Sequence, residues 1–290
     1  MKGFKIYTDE PPMKDFLLCF LFFFLFTGAE NARAQRLEKV WETTVELKTP
    51  ESVLYDEKRD VIYVANINGN PSEKDGNGFI TVLNPDGSVK DFKWMEHFNA
   101  PKGMALFEGK LYVADIDRLV EIDIEHRQIL KKYEASDAEF LNDVTASDAT
   151  GTVFVSDSHG GVIYALREGQ LFKWLEGSPL ERPNGLLAED GRIFIGDKDI
   201  FQVEINSKKI VPVVKNTGGV DGLEKNNAGE FVFSNWGGRI FVHKDGHTVK
   251  IHDSAEQKIN TADIDFALKY NWVLVPTFFD DRVIAYEYVD

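Results

Sequence analysis

Apolar residues along this chain come in short runs of β-branched and aromatic side chains, each introduced by a glycine turn and closed by a polar residue. GTVFVSD (151–157), GRIFIGD (191–197) and GEFVFSN (229–235) are examples. A second run follows each at hairpin distance, as in GVIYAL (161–166), GRIFVH (238–243) and RVIAYEY (282–288). A third, more polar run ends the unit, as in SVKDFKW (88–94), QILKKY (128–133) and QLFKW (170–174). Such composition between turn residues predicts strands, and no apolar pattern of helical period persists for long. The chain is expected to be all-β.

The strands recur with a period. Six times a variable residue is followed by a small or acidic one and then an aliphatic: Glu51-Ser52-Val53, Lys102-Gly103-Met104, Asn142-Asp143-Val144, Asn184-Gly185-Leu186, Asp221-Gly222-Leu223 and Ala262-Asp263-Ile264. Their starts lie 51, 40, 42, 37 and 41 residues apart. With the strand that opens each phrase, the unit has four strands, and a period of about forty residues predicts a six-bladed β-propeller. The sixth unit stops after its third strand. RLEKVW (36–41) sets a lysine shortly before a tryptophan, as do the fourth strands that end at Trp94 and Trp174. It is therefore expected to complete the last blade and close the ring, which also removes an exposed sheet edge.

Residues 1–34 are different in kind. Phe16 to Phe26 is an uninterrupted apolar run, preceded by Lys14 and followed by the small-x-small site Ala32-Arg33-Ala34. That is the pattern of a secretory signal peptide, with Met13 as an alternative start. Eleven apolar residues are too few to span a bilayer. Export is expected, with no membrane insertion after the signal is removed, and residues 35–290 form one domain. Cys19 is the only cysteine. The mature chain thus has none, and its fold rests on packing rather than disulfides. A net charge of −15 opposes phosphate backbones, so nucleic acid is excluded as a partner. The expected partner is a small-molecule substrate or ligand, and the expected state is a monomer.

In a propeller the innermost strands line the central channel, so the phrase-opening residues face one another. Glu51, Asn142, Asn184 and Asp221 would bring two carboxylates and two amide carbonyls together. Asn and Asp also cap turns, and any one of these residues alone would be read so. Four in register point to one divalent cation, and an oxygen-only set suits Ca²⁺ better than Zn²⁺.

These motifs resemble the gluconolactonase, regucalcin and diisopropyl-fluorophosphatase family of six-bladed propellers. The similarity covers residues 36–290 and rests on Pro50-Glu51-Ser52-Val53, Asn142-Asp143, Pro183-Asn184-Gly185-Leu186 and Asp221-Gly222-Leu223 in that order. The resemblance implies that the four positions hold a catalytic calcium and that Asp221 is the base or nucleophile. Sugar-lactone hydrolases of the family carry an Arg two residues before the blade-three Asn; this chain has Phe140 there. A less polar ester or lactone is therefore as open as a sugar lactone.

Four further residues are candidates for substrate contact: Lys102, Phe140, Asn66 and His159. For Lys102 and His159 a solvated surface position is the competing reading. Asn66 and the other polar ends of the second strands (Asp115, Asp157, Asp197, Asn235, Thr277) are equally suited to satisfying loop backbone groups. The segment Asn66–Gly78 makes blade one about ten residues longer than the others, and should overhang the channel mouth as a lid or selecting loop. No phosphate-binding loop, dinucleotide fingerprint or nucleophile elbow is present. Two functions remain: a metal-dependent hydrolase of a lactone, ester or phosphotriester, or a non-catalytic binding propeller with a structural ion.

Overall fold

The computed structural model describes residues 1–5 and 35–290. The apolar run of the expected leader, the alternative start at Met13 and the cleavage site lie outside the described residues. Gln35–Asp290 is one compact unit.

The unit begins with β1 (Arg36–Glu42). Blade one then holds β2–β5 (Pro50–Asp56, Val61–Asn66, Gly78–Leu83, Val89–Phe98). Blade two holds β6–β9 (Pro101–Phe107, Lys110–Asp115, Arg118–Asp123, Gln128–Glu134). Blade three holds β10–β13 (Leu141–Ser147, Thr152–Asp157, Val162–Arg167, Gln170–Glu176). Blade four holds β14–β17 (Leu186–Glu189, Arg192–Gly196, Ile200–Glu204, Ile210–Val214). Blade five holds β18–β21 (Leu223–Lys225, Phe231–Asn235, Arg239–Lys244, His247–Asp253). Blade six holds β22–β24 (Asp265–Ala267, Trp272–Pro276, Val283–Val289) and takes β1 as its fourth strand. Each blade is a four-stranded antiparallel meander, and the fold is the six-bladed β-propeller the repeats predict.

Ring closure runs through β1, which pairs antiparallel with β24 from Arg36 opposite Val289 to Glu42 opposite Ile284. Trp41 packs edge-on to Trp272 (6.3 Å) on the same blade. On the inner side, Asp263 N donates to the Glu51 carbonyl (3.0 Å) and Ser52 Oγ donates to Asp263 Oδ2 (2.6 Å), so first and last blades are joined at both radii.

The core is not central. It consists of six apolar wedges, one between each pair of neighbouring blades; Met104, Val113 and Val120 meet Tyr63 and Ile80 in the wedge between blades one and two. Inner sheets are thus covered on both faces, which is why β3, β4 and β11 are buried at every position instead of alternating. The second residue of each repeat phrase explains itself here. A Cβ on Gly185 would meet the backbone oxygen of Asp221, and one on Gly222 would meet the backbone of Ile264, in the next blade. Inner strands converge toward the axis, so glycine is required where Gly185 and Gly222 meet the next blade, while Asp143 and Asp263 hold this position in blades three and six.

Candidate functional site

Backbone irregularity aims the phrase-opening residues into the channel. In β2, Pro50 pairs with Asn66 and Ser52 with Ala65, so Glu51 is an extra residue in the ladder. Register shifts at the same place in β6 and β10 free Lys102 and Asn142. Such bulges bend a strand and redirect a side chain. Asn184 and Asp221 precede their strands, held by Asn184 N to Gly196 O (2.8 Å) and Asp221 N to Ser234 O (2.9 Å). All five side chains line one cavity of about 750 Å³ at the channel mouth. Ala262, the sixth, instead packs with Ile67, Ala100, Ile116 and Phe278.

The four oxygen-bearing residues share an unusual deficit. Glu51 Oε2 and Asp221 Oδ2 are buried and have no hydrogen-bond partner among the described residues. Asn184 Nδ2 donates to Asp221 Oδ1 (2.6 Å), and the Asn142 amide bonds to nothing among the described residues. Burial pushes the Asp221 carboxyl up to about 7. Burial, then the Asp221 charge, pushes Glu51 well above its ordinary range, against the pull of Lys102. Orphaned anionic oxygens in a dry site are costly unless protonated or shared with a cation. Asn235 Oδ1 is a third orphan in the same cavity. Its side chain does not satisfy a loop backbone group, unlike those of Asp115, Asp157 and Asp197, which each accept two or more backbone N–H bonds.

Lys102 is not a solvated surface residue. It is 1% exposed, and its Nζ donates to the carbonyls of Ala100 (2.9 Å) and Pro71 (3.0 Å) while standing 4.3 Å above the Phe140 ring. Burial lowers its pKa to about 8, with Glu51 and then Asp115 pulling the other way. Phe140 also stacks on His159 (4.5 Å between centroids), and both line the cavity. Asn66 requires a correction. It is fully buried behind the wall: Oδ1 accepts from Lys48 N (3.0 Å), and Nδ2 donates to Val64 O and Thr81 Oγ1. It cannot contact a substrate in this arrangement.

The insertion after Asn66 does reach the channel mouth. Ile67 and Pro71 form part of the cavity wall, and the segment is tied to blade two through Lys102 to Pro71 and Lys74 to Asp117 (2.5 Å). It forms a fixed part of the wall. Beneath the mouth lies a second acidic tier that the candidate set omits. Asp143 accepts from Leu186 N (2.5 Å) and Val144 N (2.6 Å), and burial raises it to about 7. Asp263 is raised well above its usual range, chiefly by burial and by Asp143. The acidic option at the second phrase position is the sequence signal for this tier. Trp236, Phe278 and Phe279 of blades five and six complete the rim; no repeat feature marks them.

No protein-family model matches the chain, and no curated protein matches it. Solved structures do. A structural-genomics protein provisionally named a gluconolactonase superposes with a TM-score of 0.67 at 15% identity, over 88% of this chain and 93% of that one. A catalytically inactive virginiamycin B lyase from Staphylococcus aureus, with quinupristin, gives 0.62 at 13% identity over 88% and 100%. A protein of unknown function from Bacteroides thetaiotaomicron gives 0.67 at 7% identity over 88% and 76%. At these identities the likeness establishes the fold.

Proposed function

We propose that this chain is an exported, divalent-cation-dependent hydrolase of a lactone, ester or phosphotriester, with Ca²⁺ the preferred ion and Asp221 the base or nucleophile. The observation that carries this reading is the pair of unpartnered buried oxygens, Glu51 Oε2 and Asp221 Oδ2, in one cavity with the amides of Asn142 and Asn184. Two carboxylates and two carbonyls are hard donors that fit Ca²⁺ and leave coordination positions for water and substrate. Asn235 is a further oxygen of the same kind. Once bound, such an ion would polarise a carbonyl or phosphoryl oxygen.

The remaining work belongs to the chain's own groups. Asn184 fixes one oxygen of Asp221 and leaves the other free to take a proton from water or to attack. Ile67, Phe140 and Phe278 limit water around it. The test is calorimetry with Ca²⁺, followed by a panel of lactones, aryl esters and phosphotriesters. Absence of Ca²⁺ binding removes the reading, as does a filled site that hydrolyses nothing.

Lys102 supports a second reading. Its ammonium charge already offsets Glu51, so a cation meets a less negative site than the four donors imply. A non-catalytic propeller that binds its ligand over a structural ion would need no more than this.

A further inference from the structure

The cavity walls above Glu51 and Asp221 differ in chemistry across the ring. Blades five and six supply an aromatic wall. Trp236 stands edge-on to Phe278 (5.5 Å) and Phe279 (5.8 Å), and those two rings meet at 4.7 Å. Trp236 is 47% exposed and Phe279 65%, although water-exposed aromatic clusters are unfavourable without an occupant. Together with a cavity of about 750 Å³, they offer contact area for a ligand of drug-like size.

The segment between blades three and four adds a cationic group to the same mouth, and Arg239 of blade five, also in the lining, is paired with Asp253 (3.4 Å). Arg182 lines the mouth and makes no side-chain hydrogen bond or ion pair among the described residues. Every other arginine in residues 35–290 has a hydrogen-bond or ion-pair partner. For all but Arg167 it is a carboxylate, and Arg167 donates to Thr152 Oγ1 (3.0 Å). In a chain with a net charge of −15, a guanidinium left without any partner among the described residues is a conspicuous exception. Without a bound cation the carboxylates on the floor repel an anion, so an anionic group is drawn to the rim rather than the floor.

We infer that the cavity takes an amphiphilic anion. Its aryl or acyl group lies against Trp236, Phe278 and Phe279, and its carboxylate is held by Arg182. The inference rests on the hydrolase reading only for which bond lies over Asp221; the two walls bind without that chemistry.

Calorimetry on the mature chain, in chelator and again in Ca²⁺, compares 2-naphthoate with its neutral analogue 2-naphthamide. Naphthoate should bind about tenfold tighter, the scale of one charge-assisted hydrogen-bonded pair. Arg182→Gln should abolish that preference and leave naphthamide unchanged, while Trp236→Ala should weaken both ligands about tenfold. Both residues are exposed, so melting curves should match wild type. Equal affinities in wild type, a preference that survives Arg182→Gln, or no saturable binding would each overturn the inference. A chain that binds as expected but hydrolyses no ester retains this inference and loses the hydrolase. One that hydrolyses neutral and anionic naphthyl esters with equal kcat/KM does the reverse.

Discussion

Lys102 buries an ammonium group between two backbone carbonyls and an aromatic ring, beside the carboxylate of Glu51. Its charge competes with any cation for the same negative field. Lys102→Met should therefore raise divalent-cation affinity while lowering stability by about 3 kcal/mol, since two carbonyls lose their donor and Glu51 its counter-charge. Calorimetry and chemical denaturation read the two effects separately; unchanged affinity would show that the ammonium does not act on the site. Phe140 belongs to the same constellation. Replacing it with arginine would set a second positive charge next to Lys102 and remove the ring beneath it, so that exchange should destabilise the site. Asp221 is tested by Asp221→Asn, in which an amide oxygen still coordinates but cannot accept a proton. Turnover should fall by ~10²–10⁴ while the Ca²⁺ isotherm changes far less. Near-normal activity at saturating Ca²⁺ would remove Asp221 from the chemistry.

At the scale of the element, the close approach of inner strands sets the position of the donors. Gly185 lies against the backbone oxygen of Asp221, and any Cβ there must push the neighbouring blade away. Gly185→Ala should weaken Ca²⁺ binding without altering a donor, seen as a right-shifted titration in a protein that still folds. An unchanged titration would mean the blades yield without moving Asp221. Closure depends on β1. Deleting residues 35–42 exposes the edge of β24 and unpacks Trp41 from Trp272. Loss of a large, partly buried aromatic together with the whole β1 pairing should cost at least ~3–5 kcal/mol, so the melting temperature should drop by more than about 10 °C. A truncated chain that melts like the full one would show that the ring closes without this strand.

Across the whole molecule, the axis is a column of buried acids. Asp143 and Asp221 titrate at about 7 and Asp265 at about 6, all raised from 3.8 chiefly by burial. A raised carboxyl holds its proton in the folded chain and loses it in the unfolded one. The associated stability is complete below about pH 4 and is lost as pH rises through 6 to 7. The chelated protein should therefore melt lower at about pH 8 than at about pH 5. Ca²⁺ should flatten that slope, because the ion replaces the proton on Asp221. A melting temperature that rises with pH in chelator would contradict the raised titration of these carboxyls.

The division between chain and fold follows from how far apart the interacting residues are. Strand composition and the forty-residue period are local or repeating, so the six blades, the closing strand and the in-register positions Glu51, Asn142, Asn184 and Asp221 could be read directly. Their convergence on one cavity needed only the premise of a ring. Lys102, Asn235 and Asn66 could not be placed that way. Each is a single polar residue on an apolar background, and whether it faces the channel, a carbonyl or the next strand depends on local geometry. A bulge frees Lys102, and Lys48 N and Thr81 draw Asn66 inward. The aromatic wall and the unpaired Arg182 belong to no repeat at all. They share a cavity only because the ring brings residues of all six blades to the same mouth. Periodicity records the contacts each blade makes with itself and its neighbour, and the chemistry of the cavity is made by contacts across the ring.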